Sequence, residues 1–128
     1  MGGMRGRVPG GPGQDRKTRR DWWGVVLDAP EALPLAQFYA DLFGWRLDAS
    51  DPGFVTLDPD EGVAYLAVQT SAGYQPPTWP NVPGRQQMQV HLDIEVSDLS
   101  TSVAAAVALG ARVAADQPQH DVRVLLDP

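Results

Sequence analysis

The 128-residue chain contains no cysteine. That excludes disulfides, a thiol nucleophile and thiolate metal sites, so any metal would have to be held by His, Asp, Glu or Gln. Histidine is scarce too, with only two in the chain, His91 and His120. No run approaches the ~18 apolar residues a spanning helix needs, and the arginine-rich start is not followed by the apolar stretch of a secretory signal. These absences predict a cytoplasmic protein that does not enter a membrane. Neither a Gly-x-Ser-x-Gly elbow nor a Gly-x-Gly-x-x-Gly or phosphate-binding loop occurs, and no serine lies near a histidine in sequence, so nucleophilic catalysis has no support.

Acidic residues are nearly missing from the start of the chain. Residues 1–20 hold six basic side chains (Arg5, Arg7, Arg16, Lys17, Arg19 and Arg20) against Asp15 alone, while the other 108 residues hold 4 basic and 15 acidic ones. The Gly/Pro-rich basic start has no apolar periodicity and reads as a disordered leader, with a nucleic-acid or membrane arm as the alternative. The acidic body repels nucleic-acid phosphates, so no nucleic-acid partner is expected. With 43% hydrophobic residues, the chain as a whole suffices for one core.

That remainder, residues 21–128, reads as one α+β domain made of two similar halves. Residues 22–27 are aromatic and β-branched, the pattern of a buried strand. Leu35, Phe38, Tyr39, Leu42 and Phe43 then recur at spacings of three and four, which predicts a helix over 31–43 that Gly44 stops. Strand patterns follow at 45–48, 53–57 and 63–69, separated by turns at 50–53 and 58–62. The proline-rich stretch 71–86 is a connector between module one (21–70) and module two (87–128). In module two, 89–96 alternates like a strand, and 98–109 reads as a helix with Asp98 as N-cap and Leu99, Val103, Ala106 and Val107 inward. Strands at 112–114 and 121–126 follow, one fewer than after the first helix. The edge left open beside 121–126 invites strand pairing and predicts a homodimer.

Aligning the helix starts Glu31 and Asp98 places Gly24 and His91 at the same position of the two opening strands. Alternation puts Gln89, His91, Asp93 and Glu95 on one face of 89–96 and Val90, Leu92, Ile94 and Val96 on the other. The polar face suits proton exchange or a polar ligand. It equally suits an imidazole bonded to a carboxylate on a neighbouring strand. Trp45, Phe54, Tyr65, Tyr74 and Trp79 are candidates for the wall of an apolar cavity or for plain core, and Trp79, in the proline-stiffened loop, for a lid or a dimer seal. His120 reads as an exposed turn residue.

Phe38-Tyr39, Leu42-Phe43-Gly44-Trp45, the run His91-Leu92-Asp93-Ile94-Glu95-Val96-Ser97-Asp98-Leu99 and Leu109-Gly110-Ala111 together resemble the vicinal oxygen chelate superfamily. This group includes glyoxalases, bleomycin-resistance proteins and extradiol dioxygenases. The resemblance covers about 22–128 and extends to the Pro-Pro-Thr-Trp-Pro loop at 76–80. It implies two βαβββ modules whose mixed sheets curl into a cup with the helices outside, the second module lacking its last strand. In metal-dependent members, one ligand comes from the first and one from the last strand of each module. Carried onto this chain, those positions hold Gly24, which cannot ligate, and His91, the only metal candidate with family support. Tyr65, Leu66 and Gln69 stand where the first module's closing ligand is expected. Fewer than three suitable groups do not hold a divalent ion. The expectation is therefore a protein that binds a small organic molecule without a metal cofactor, through His91, Asp93, Glu95, Gln69, Trp79, Tyr65, Phe54 and Trp45. The alternative is a lyase, isomerase or dioxygenase using Zn, Ni, Mn or Fe and completed by a partner chain.

Overall fold

The computed structural model describes residues 23–62 and 64–128, and the basic leader lies outside the described residues. The first half runs β1 (Trp23–Ala29), α1 (Ala32–Phe43), β2 (Arg46–Asp48), β3 (Phe54–Asp58) and β4 (Ala64–Thr70). These strands form a four-stranded mixed sheet in the order β1-β4-β3-β2. β1 runs parallel to β4, with Trp23 opposite Ala64 and Ala29 opposite Thr70, while β4, β3 and β2 are joined antiparallel. The short turns dictate that meander. Asp51 accepts from the Gly53 N–H through its side chain, and Asp48 accepts from the Ser50 N–H, the aspartate-initiated turns that permit reversals of a few residues.

α1 crosses over one face of this sheet. Its N-cap residue, Glu31, makes no side-chain cap bond, and the Ala32 N–H instead donates to Thr70 Oγ1 at the end of β4. The sheet thus satisfies one of the helix's orphan donors. At the other end Gly44 adopts φ 68°, a left-handed conformation that glycine enters without a Cβ penalty. Between these ends Leu35, Ala36, Phe38, Tyr39 and Ala40 are buried against Val55, Leu57, Leu66 and Val68 from the strands. Leu57, Val55 and Val68 are the largest side chains fully withdrawn from solvent.

The second half contains α2 (Leu99–Ala108), β5 (Arg112–Val113) and β6 (Leu125–Leu126), and β5 and β6 form a two-stranded antiparallel pair. Asp98 caps α2 as expected, its Oδ1 accepting from the Thr101 N–H at 2.7 Å. The two helices end alike: the Trp45 N–H donates to the Ala40 carbonyl and the Ala111 N–H to the Ala106 carbonyl, both at 3.0 Å. Fold class is therefore α+β with a curled mixed sheet, and the two halves share the backbone bond that closes each helix.

Two expectations for the second half are corrected. Residues 89–96, expected as a strand, belong to no ladder among the described residues. Alternation selects which side chains share a face, but a ladder needs a partner, and β1 has β4 where 89–96 has none. The inward stripe expected on α2 is also mostly absent. Ala106 is its one buried residue, and Val107 remains 44% exposed, because α2 has no sheet beneath it comparable to the one under α1.

Candidate ligand-binding face

Strand alternation divides the four-stranded sheet into two surfaces. Val25, Leu27, Leu47, Val55, Leu57, Leu66 and Val68 point toward α1 and the core. The opposite, helix-free face is read from the register. One row carries Gly24 beside Tyr65, the next Val26, Ala67, Thr56 and Asp48, and the third Asp28, Gln69 and Phe54. Arg46 and Asp58 lie opposite one another at the β2 side and form an ion pair at 3.0 Å.

The residues on this face are engaged with one another. Gln69 Nε2 donates to Asp28 Oδ1 at 2.6 Å across the parallel β1-β4 pair. A Cβ placed on Gly24 would lie 2.6 Å from the Tyr65 ring, so the ring rests on the bare backbone of its cross-strand neighbour. Glycine is required there by this close approach rather than by backbone angle. Tyr74 in the connector adds a hydroxyl near the Asp28 end. Burial, followed by the negative charges of Asp127 and Asp28, pushes its phenol above the ordinary tyrosine range. Tyr74 therefore stays protonated and is a hydrogen-bond donor at neutral pH.

Of the expected site residues, the structure gathers Tyr65, Gln69 and Phe54 on this face, with Gln69 directly opposite Phe54. Trp45 lies on the other side of the sheet, stacked on Phe43 at 4.6 Å between ring centroids and packed against the core. Trp79 sits in the connector and donates its indole N–H to the Asp116 carbonyl at 3.1 Å, tying the loop to the β5-β6 connection. His91, Asp93 and Glu95 are exposed on the unpaired segment, with His91 Nε2 3.5 Å from Asp93 Oδ1. His120 is an exposed turn residue whose carbonyl accepts from Arg123.

Asp28 is the polar residue of this face that the sequence pattern does not single out. It follows Gly24 and Val26 at the strand period, one residue beyond the apolar run 22–27 that marks the strand in the sequence. The Tyr39–Asp127 contact was also missed, in which the Tyr39 hydroxyl donates to Asp127 Oδ2 at 2.7 Å. It joins α1 to the end of the chain across 88 residues, a separation no local pattern records. Burial, reinforced by the Asp127 charge, raises the Tyr39 phenol far above its ordinary range, so it remains a donor.

The positions where the superfamily's metal ligands are implied do not form a ligand set here. Gly24 has no side chain and is covered by the Tyr65 ring, Gln69 is bonded to Asp28, and His91 stands on a segment that pairs with no strand of the sheet. Among the described residues no group of three or more His, Asp or Glu side chains is placed to hold an ion. Nor is any helix there long and apolar enough to cross a membrane.

A family described as a glyoxalase-like domain matches residues 24–128. No curated protein and no solved structure matches the chain.

Proposed function

This chain belongs to the glyoxalase-like domain family, and from that premise we propose that it binds a small organic molecule on the helix-free face of its first-half sheet, without a tightly held metal. The observation that carries the reading is the juxtaposition of two partly exposed aromatic rings, Phe54 and Tyr65, with the Asp28–Gln69 hydrogen-bonded pair. Aromatic faces supply apolar contact area, and a few fixed polar groups orient what lies on them. Charge narrows the ligand class. Asp28 and Asp48 lie on this face, and Arg46 is already paired with Asp58. A neutral or cationic aromatic compound carrying N–H donors suits that surface better than an anion does.

Benzamidine, benzamide and benzoate form a matched series that tests this. Backbone amide shifts in nuclear magnetic resonance titrations should move along β1, β3 and β4 with benzamidine most strongly and benzoate least. Tyr65→Ala should abolish the response, and Asp28→Asn should remove the preference for the cation. Shifts confined to other elements, or a preference for benzoate, would refute the site. Elemental analysis of the purified protein addresses the metal separately. Stoichiometric Zn, Ni, Mn or Fe would replace this reading with a metal-dependent lyase, isomerase or dioxygenase.

A further inference from the structure

The Asp28–Gln69 bond fixes which atoms the helix-free face offers to a ligand. A carboxylate accepts hydrogen bonds and donates none, so only the Nε2 arm of the Gln69 amide can turn toward it. The contact has that sense, Gln69 Nε2 donating to Asp28 Oδ1 at 2.6 Å between directly opposed residues of the parallel β1-β4 pair. Because the amide is planar, holding Nε2 against Asp28 directs Oε1 away from it. Both side chains are exposed, and neither Gln69 Oε1 nor Asp28 Oδ2 takes another bond among the described residues. The pair thus keeps two oxygens free against the single Nε2–H that Asp28 does not use. Phe54 lies directly opposite Gln69 on the next strand, ~4.8 Å away across the ladder, so a ring resting on Phe54 carries its substituent to those oxygens.

We propose that Asp28 is a positioning residue for Gln69, and that the two select an aromatic ligand bearing a planar group with two parallel N–H donors: an amidinium, a guanidinium or a 2-amino-azine. This selection rests on the binding face proposed above, and what it recognises there is the pair of donors rather than positive charge alone. One donor meets Gln69 Oε1 and the other meets Asp28 Oδ2, a two-point contact that orients a planar group as well as holding it. The opposite setting of the amide would press its carbonyl oxygen against the carboxylate and turn the whole NH2 group toward the ligand. That surface would suit a carbonyl or carboxylate ligand. Asp28 excludes it, because a charge-assisted bond to Nε2 is gained in one setting and oxygen faces oxygen in the other. The residue that sets the ligand class is therefore the one beside Gln69 as much as Gln69 itself.

Benzamidine and phenyltrimethylammonium share a ring and a charge, and only the first has N–H donors. In amide-shift titrations of the full chain, benzamidine should bind about tenfold more tightly, roughly the effect of one hydrogen bond. Gln69→Met keeps Asp28 in place and should reduce that ratio to about twofold or less. Asp28→Asn should lower it too, because an amide at 28 accepts either setting of Gln69. The exchanged pair Asp28→Asn/Gln69→Glu again sets one carboxylate against one amide and should recover the ratio. In the ligand-free protein one Gln69 Nε2 proton should resonate well downfield of the other and exchange slowly, and Asp28→Asn should erase that difference. Equal affinities for the two cations, with shifts still on β1, β3 and β4, would overturn this inference and leave the binding face standing. A ratio unmoved by Gln69→Met, a freely rotating Gln69 amide or an exchanged pair that recovers nothing would overturn it as well. No response to either cation would overturn both.

Discussion

The two halves begin with similar sequence units and end in different degrees of burial. α1 buries six residues, whereas α2 buries only Ala106, although both helices start after an acidic residue and finish with the same backbone bond to an alanine carbonyl. β1 is paired with β4 along seven residues, whereas 89–96 has no ladder among the described residues. The backbone bond that closes a helix is a local property and repeats in both halves. Burial is a property of layers, and a helix stripe becomes core only where a sheet lies under it. The first half is the scaffold and carries the candidate site. The second half rests on it through Ala106, Ala111, Leu92 and Leu125 and through the Tyr39–Asp127 bond.

That contrast is broken most severely by removing volume from the scaffold. Leu57→Ala, at a fully buried position, should cost about 2–5 kcal/mol of stability in denaturant unfolding, while Val107→Ala on the exposed face of α2 should stay within about 0.5 kcal/mol. Equal losses at both positions would mean that the halves are packed alike.

The next effect concerns the paired positions Gly24 and His91. Introducing the second half's residue into the first, Gly24→His, drives a side chain into the Tyr65 ring and should cost about 1–3 kcal/mol. Most of that loss should disappear in a Tyr65→Ala background, a coupling that a double-mutant cycle measures. The bond between the halves is worth less. Tyr39→Phe should cost about 1 kcal/mol, and hydrogen exchange should quicken at β5 and β6 more than at β3, the distinguishing readout of a tie between halves.

The smallest effect is expected from acid. Hydrogen bonds from the Thr101 backbone N–H, and then the Thr101 and Ser100 side chains, hold the Asp98 carboxyl below its ordinary range. A carboxyl depressed in the folded state binds fewer protons there than in the unfolded chain, so its stabilisation is complete above the ordinary range near pH ~4 and fades as pH falls through the depressed value. Asp48, held low by the Ser50 hydroxyl and then its N–H, has the same sign. Helical ellipticity should therefore fall slightly on acidification below pH ~4, and less so in Asp98→Ala, which has already lost the cap.

The first-half elements are legible within a residue or two, because period, prolines, glycines and aspartate turns are local signals. The Asp98 cap is legible for the same reason, and so is the failure of Gly24 as a ligand, which follows from having no side chain. Residues 89–96 alternate like a strand yet join no ladder among the described residues, because alternation is a local signal and pairing is not. The composition of the helix-free face was half legible. Tyr65, Gln69 and Phe54 alternate on strands that register brings together, but the sequence also offered Trp45, and only the stacking on Phe43 shows it lying on the helix side.

The sequence alone determined the α+β class, the Asp98 cap of α2, the glycine stop of α1 and the absence of thiol chemistry, because these depend on residues within a few positions of each other or on composition. Tertiary structure decided that the Tyr65 ring fills the space over Gly24, that Thr70 caps α1 and that Asp28 is bonded to Gln69. Each of those contacts joins residues 38 or more positions apart, and it forms only once sheet register and helix packing have fixed where the two partners lie.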